Sequence, residues 1–187
     1  MRCGEVLEFC YEQALTNGRE VTLLMMTAAA AFVPYERMRS GSDHPSRDRQ
    51  RFPRAAQNLD SALGKPFLKS PFHSESMRSW SMGRMRTAEP PVDLPPLTNQ
   101  TPANQVFAIM RNALAHGNLW TRPGNSKHIG AVAFLAEDKD PQGSVIGYKY
   151  INVSTQDFHS FLVKWFVFLK QQRIPAEVVA EALARAA

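Results

Sequence analysis

The run Leu23-Leu24-Met25-Met26-Thr27-Ala28-Ala29-Ala30-Ala31-Phe32 is apolar nearly all the way round a helix, and this one stretch limits the folds open to the chain. A helix without a polar face has to be buried among other elements, and its alanines let a neighbour approach closely. The apolar stretch from Val21 to Val33 is too short to span a bilayer, so it reads as the central helix of a bundle. Its expected bounds are about Arg19 to Met38, with a kink or break at Pro34, which removes a backbone donor.

The partners of that helix are legible on either side. Val6, Leu7, Phe9, Cys10, Gln13 and Ala14 give a first amphipathic helix that stops near Asn17-Gly18. A third helix is expected over Arg54 to Leu63, with Ala55, Ala56, Leu59, Ala62 and Leu63 on its apolar side and Gly64-Lys65-Pro66 as its stop. Near the other end, Ser154 and Asp157 approximate a capping box, and Phe158, Phe161, Leu162, Trp165, Phe168 and Leu169 fall on one core stripe. Ile174-Pro175 restarts a short final helix.

Between these helices lie two departures from a simple bundle. Residues 40–100 form a basic, irregular excursion: Arg47, Arg49, Arg51 and Arg54 cluster, and Phe67, Phe72, Met77, Trp80, Met82 and Met85 interleave with Lys69, Arg78, Arg84 and Arg86. Such a stretch either covers the core or contacts single-stranded RNA by phosphate pairing and base stacking. Its last part, Glu89 to Pro96, is stiff and polyproline-like. Residues 128–136 and 145–153 are β-branched and aromatic, and Asp138 to Gly143 lies between them, so residues 128–153 read as an inserted β-hairpin. The whole, residues 1–187, is expected as one mainly α domain, an antiparallel helical bundle carrying that hairpin.

Chemistry concentrates on a later helix. Val106, Phe107, Ile109, Met110, Ala113 and Leu114 recur at helical spacing, Thr101-Pro102 suits the amino-terminal cap, and Gly117 suits the left-handed residue after the last turn. Arg111, Asn112 and His116 lie beside the apolar face. Asn112 and His116, four apart, share a side, whereas Arg111 is roughly 140° round the axis from His116. In the last turn the helix dipole favours imidazolium. The plain alternative is that Arg111 and Asn112 are surface residues and His116 only caps the helix.

Arg111-Asn112-Ala113-Leu114-Ala115-His116 resembles the R-x4-6-H signature of the HEPN superfamily, with Asn112 as the polar residue after the arginine. The continuation Gly117-Asn118 is similar to bacterial members in defence and toxin systems. The resemblance implies a HEPN-like bundle, a homodimer with the motif helices facing across a two-fold groove, and a metal-independent endoribonuclease that leaves 2′,3′-cyclic phosphate ends. It makes Arg111, Asn112 and His116 the catalytic candidates and needs no cofactor and no metal. Arg37, Asn118 and Trp120 are the candidates for contacting RNA around them, and Tyr35 is weighed with Arg37 as facing the same groove. An antitoxin-like protein partner is a further expectation. The rivals are a HEPN-like protein that binds RNA, a nucleotide or a partner without cleavage, and a dimer in which the three residues form a structural network.

The formal charge of +5 permits an anionic partner without demanding one. Cys3 and Cys10 would lie about 10 Å apart along one helix, too far for a disulfide, and read as reduced thiols. Glu5, Glu8 and Glu12 interrupt any leader-like apolar run, so a cytoplasmic protein without membrane association is expected. No HExxH, paired CxxC, P-loop or dinucleotide fingerprint is present, and His128 and His159 stand isolated.

Overall fold

The computed structural model describes residues 2–42, 44–89, 94–124 and 128–172. The final helix expected after Ile174, and part of the proline-rich segment, lie outside the described residues. Two helices open the chain, α1 (Arg2–Thr16) and α2 (Glu20–Met38), followed by the short α3 (Asp48–Arg51) and by α4 (Pro53–Leu63). A 3-10 turn at Phe67–Lys69 leads to β1 (Ser81–Met85). Then come α5 (Ala103–His116), β2 (Leu119–Pro123), β3 (Ile129–Lys139), β4 (Val145–Ser154) and α6 (Thr155–Gln171).

The architecture is mixed α/β, 50% helix and 21% strand, and not the mainly α bundle with an inserted hairpin that the sequence led us to expect. The reason is specific. The β3 and β4 segments do pair in antiparallel fashion, with Phe134 opposite Ile151, but they form the centre of a four-stranded sheet ordered β1-β4-β3-β2. The two edge strands carry weak local signals: β1 (SMGRM) has a glycine and no β-branched residue, and β2 (LWTRP) ends on proline. Their strand state comes from the partner edges offered by β4 and β3, a tertiary effect that outweighs local propensity.

Helix α2 runs unbroken through Pro34. Proline cannot donate to the carbonyl four residues back, here that of Ala30. At the neighbouring Ala31 carbonyl the indole N–H of Trp165 donates at 2.8 Å, tying this turn of α2 to α6. No helix among the described residues is long and apolar enough to cross a membrane.

The core is aromatic. Phe107 of α5 is fully buried, and its ring centroid lies 5.5 Å from Phe32, 5.3 Å from Tyr35, 5.0 Å from Phe72, 5.5 Å from Phe161 and 4.9 Å from Trp165. Burying one such side chain is worth about 1.5–3 kcal/mol before the aromatic geometry adds its share. Val132, Phe134, Ala136, Ile151 and Val153, the alternate residues of β3 and β4, join the same core. Phe67, Phe72, Met77 and Trp80 are also buried, so these side chains of the irregular excursion cover the core and are not available for stacking on bases.

Candidate active site

Helix α5 starts at Ala103 without a side-chain cap. The expected hydroxyl cap from Thr101 is replaced by backbone pairing: Ala103 N–H donates to the Lys65 carbonyl at 2.9 Å, and Phe67 N–H donates to the Thr101 carbonyl at 2.8 Å. At the other end Gly117 adopts φ 68°, as the sequence leads one to expect. Asn118 N–H donates to the Ala113 carbonyl at 2.9 Å and Gly117 N–H to the Leu114 carbonyl at 3.4 Å, which satisfies two of the last free carbonyls. The chain enters β2 at Leu119, immediately after this cap.

Phe107 fixes the height of α5 against α2, and the polar cluster follows from that fixation. One turn beyond Phe107 stands Arg111, and one residue beyond Tyr35 stands Glu36. Arg111 Nε lies 2.7 Å from Glu36 Oε2, and Arg111 Nη1 donates to Asn112 Oδ1 at 2.7 Å. The other oxygen of Glu36, Oε1, accepts from Arg39 Nε at 3.0 Å and lies 2.9 Å from Arg39 Nη2. Partial burial pushes the Glu36 carboxyl upward, but hydrogen bonds and charge from Arg39 and Arg111 outweigh it and hold the group below its ordinary range. One carboxylate thus stands between two guanidiniums.

His116 is the last residue of α5 and is exposed. Among the described residues no hydrogen bond or ion pair joins it to Arg111 or Asn112, so a single chain brings together Arg111 and Asn112 but leaves His116 apart. His116 lies on the side of Glu137, whose carboxyl is held below its usual range mainly by the hydrogen bond and charge of Lys139, with a smaller effect from His116.

The four flanking residues have different fates. Arg37 does not face the motif. It is 6% exposed and its Nε stands 2.6 Å from the carboxylate of fully buried Asp48, with Ser46 Oγ accepting from it at 3.1 Å. The segment carrying α3 packs over that side of α2, and this long-range packing leaves no trace in the local pattern. Tyr35 is buried against Phe107. Asn118 is half-buried, its backbone spent on the helix cap and on accepting from Leu135 N–H at 3.1 Å. Trp120 is 45% exposed on β2, an edge strand, opposite Ala133.

Glu36 and Arg39 were missed by sequence reasoning. Their signal was the i, i+3 pairing of an acid and a base at the end of α2, a pattern shared by many solvated helix ends. Among the described residues no three His, Cys, Asp or Glu side chains are grouped as metal ligands.

Searches of curated proteins and of solved structures found no match. The model of one family, HEPN pEK499 p136, matches residues 2–176, nearly the whole chain and with it the Arg111 to His116 motif. The chain belongs to that HEPN family.

Proposed function

We propose that, of the nuclease and RNA-binding roles open to a HEPN protein, this chain is a metal-independent endoribonuclease whose site is completed across a homodimer. The observation that carries the reading is the placement of Arg111. Its guanidinium is oriented by Glu36 and Asn112 at the surface of α5, while the only histidine of the motif stands free at the end of the same helix. A second copy, related by a two-fold axis, supplies a second Arg111 and a second His116. The exposed Ala115 between the motif residues, and the exposed Met26 and Ala29 of α2, support close approach of another helix.

In this reaction one His116 removes the proton of the 2′-hydroxyl as the 2′-oxygen forms its bond to phosphorus. The other His116 gives a proton to the departing 5′-oxygen as the P–O5′ bond breaks. Arg111 exchanges Glu36 for the phosphate oxygens, on which charge accumulates in the transition state. Asn112 keeps the guanidinium in place during the exchange. The products are a 2′,3′-cyclic phosphate and a 5′-hydroxyl.

The test is cleavage of a panel of RNAs with and without EDTA by the intact protein and by His116→Ala, with product ends mapped. EDTA-resistant cleavage that disappears in the variant and leaves cyclic phosphate supports the nuclease. RNA bound equally by both proteins and cut by neither makes the chain a binding protein instead. Loss of the dimer in His116→Ala assigns the motif to the interface.

A further inference from the structure

Toward the amino-terminal end of α5, the space between α2, α4 and α5 opens into a cavity of about 550 Å³. Tyr35, Arg39 and Ser40 line it from α2 and its end, Asn104 and Gln105 from the first turn of α5, and Asp60 from α4. The Asp60 carboxylate is paired with the Arg49 guanidinium, which donates to its two oxygens at 3.2 and 2.6 Å. The volume falls in the range that holds a small organic ligand. Its chemistry is selective. Two amide side chains each present a donor and an acceptor, as the edge of a nucleobase requires, and Ser40, the Arg39 guanidinium and the Arg49-paired Asp60 carboxylate complete the polar lining.

The Arg39 cation ties the cavity to the motif. Arg39 and Arg111 occupy the two oxygens of the same Glu36 carboxylate, so the guanidinium lining the cavity is the immediate neighbour of the guanidinium on α5. Along the helix, Asn104 and Gln105 lie about 10 Å from Arg111 and Asn112, a distance an extended single strand covers in a nucleotide or two. Two neighbouring cations joined by one displaceable carboxylate match two successive phosphates better than one.

We propose that this cavity is a nucleoside subsite. It takes one base and ribose of a single-stranded RNA next to the phosphate held by Arg111. Arg39 binds the adjoining phosphate, and Asn104 and Gln105 hydrogen-bond the base edge. The inference rests on the RNA-processing reading of the Arg111 site and adds to it a place where the strand is read.

The experiment is a titration of the full chain with nucleoside 5′-monophosphates and, separately, with orthophosphate, followed by NMR or calorimetry. It is repeated for Gln105→Leu and for Ser40→Trp, which fills the cavity. Unchanged circular dichroism and melting temperature establish that each variant is folded. We expect at least one monophosphate to bind about tenfold more tightly than orthophosphate, Gln105→Leu to weaken it about fivefold, and Ser40→Trp to abolish it. In RNA cleavage, Ser40→Trp should raise KM about tenfold and leave kcat within about twofold. Monophosphates that bind no better than orthophosphate, or that bind intact protein and a folded Ser40→Trp or Gln105→Leu variant alike, overturn the subsite. Monophosphates lost on filling the cavity, in a protein that cuts no RNA, leave the subsite standing and overturn the nuclease. RNA cut by Ser40→Trp with unchanged KM overturns the subsite alone.

Discussion

The carboxylate of Glu36 lies 2.7 Å from Nε of Arg111, which in the proposed reaction is the place of a phosphate oxygen. Replacing it with a neutral amide removes the competitor while preserving the shape. Glu36→Gln should tighten RNA binding about three- to tenfold, as read by fluorescence anisotropy over a salt series. Since the Glu36 carboxyl is held below its ordinary range, the intact cluster stabilises the protein above that range and loosens only as pH falls through the lowered value. Weaker RNA binding by Glu36→Gln would show that the carboxylate positions the guanidinium for the phosphate and does not compete with it.

His116 is exposed and bonds to neither Arg111 nor Asn112 within one chain. His116→Ala should change folding stability by no more than about 0.5 kcal/mol in urea titrations. RNA cleavage, measured on the same preparation, should fall at least about a hundredfold. Equal activity in the two proteins would remove His116 from the reaction.

Arg37 is a structural residue by its surroundings. Its partner Asp48 is fully buried, so Arg37→Ala leaves that carboxylate with only the long 3.9 Å contact to the exposed Arg51 and should destabilise the fold by about 3 kcal/mol. The double variant with Asp48→Ala should recover a large part of that loss in chemical denaturation, because the stranded charge is gone. RNA affinity of the folded fraction should match that of the intact protein.

His159 stacks on Tyr11, with ring centroids 3.8 Å apart, and its buried Nε2 has no hydrogen-bond partner among the described residues. Burial lowers its pKa below the ordinary 6.5, against a smaller upward pull from Glu12. The fold therefore favours the neutral ring. Its contribution to stability is complete above pH 6.5 and is lost as pH falls through the lowered folded-state value. Melting temperatures at pH 7.5 and 5.0 should therefore differ by less in His159→Phe than in the intact protein.

Much of this was readable from local pattern. The α6 stripe from Phe158 to Leu169 is buried, and α5 ends at His116 with Gly117 left-handed. Both follow from short-range periodicity and backbone preference. The capping box was half legible: Ser154 Oγ does accept from Asp157 N–H at 3.1 Å, but the Asp157 carboxylate reaches Ser79 N–H at 2.7 Å, a residue remote in sequence. The same limit hid β1 and β2, and it hid Glu36 as the partner of Arg111. Each depends on a neighbour that only the folded chain supplies. At the end of α2 the family resemblance pointed to Arg37, and the side on which α3 packs turns that residue to Asp48 while Glu36 meets Arg111.

The connection between α5 and β2 is two residues, Gly117 and Asn118, both engaged in the helix cap. One face of the hinge is a helix end and the other is a sheet edge in fixed register, with Leu119 opposite Phe134. A single inserted residue here would either break the cap or shift β2 by one position, turning Trp120 inward and Leu119 outward. Among homologous chains, length should therefore vary freely in the turn between β3 and β4 and remain constant between His116 and Leu119. The distance from motif to sheet should then pass between homologues as one indivisible unit.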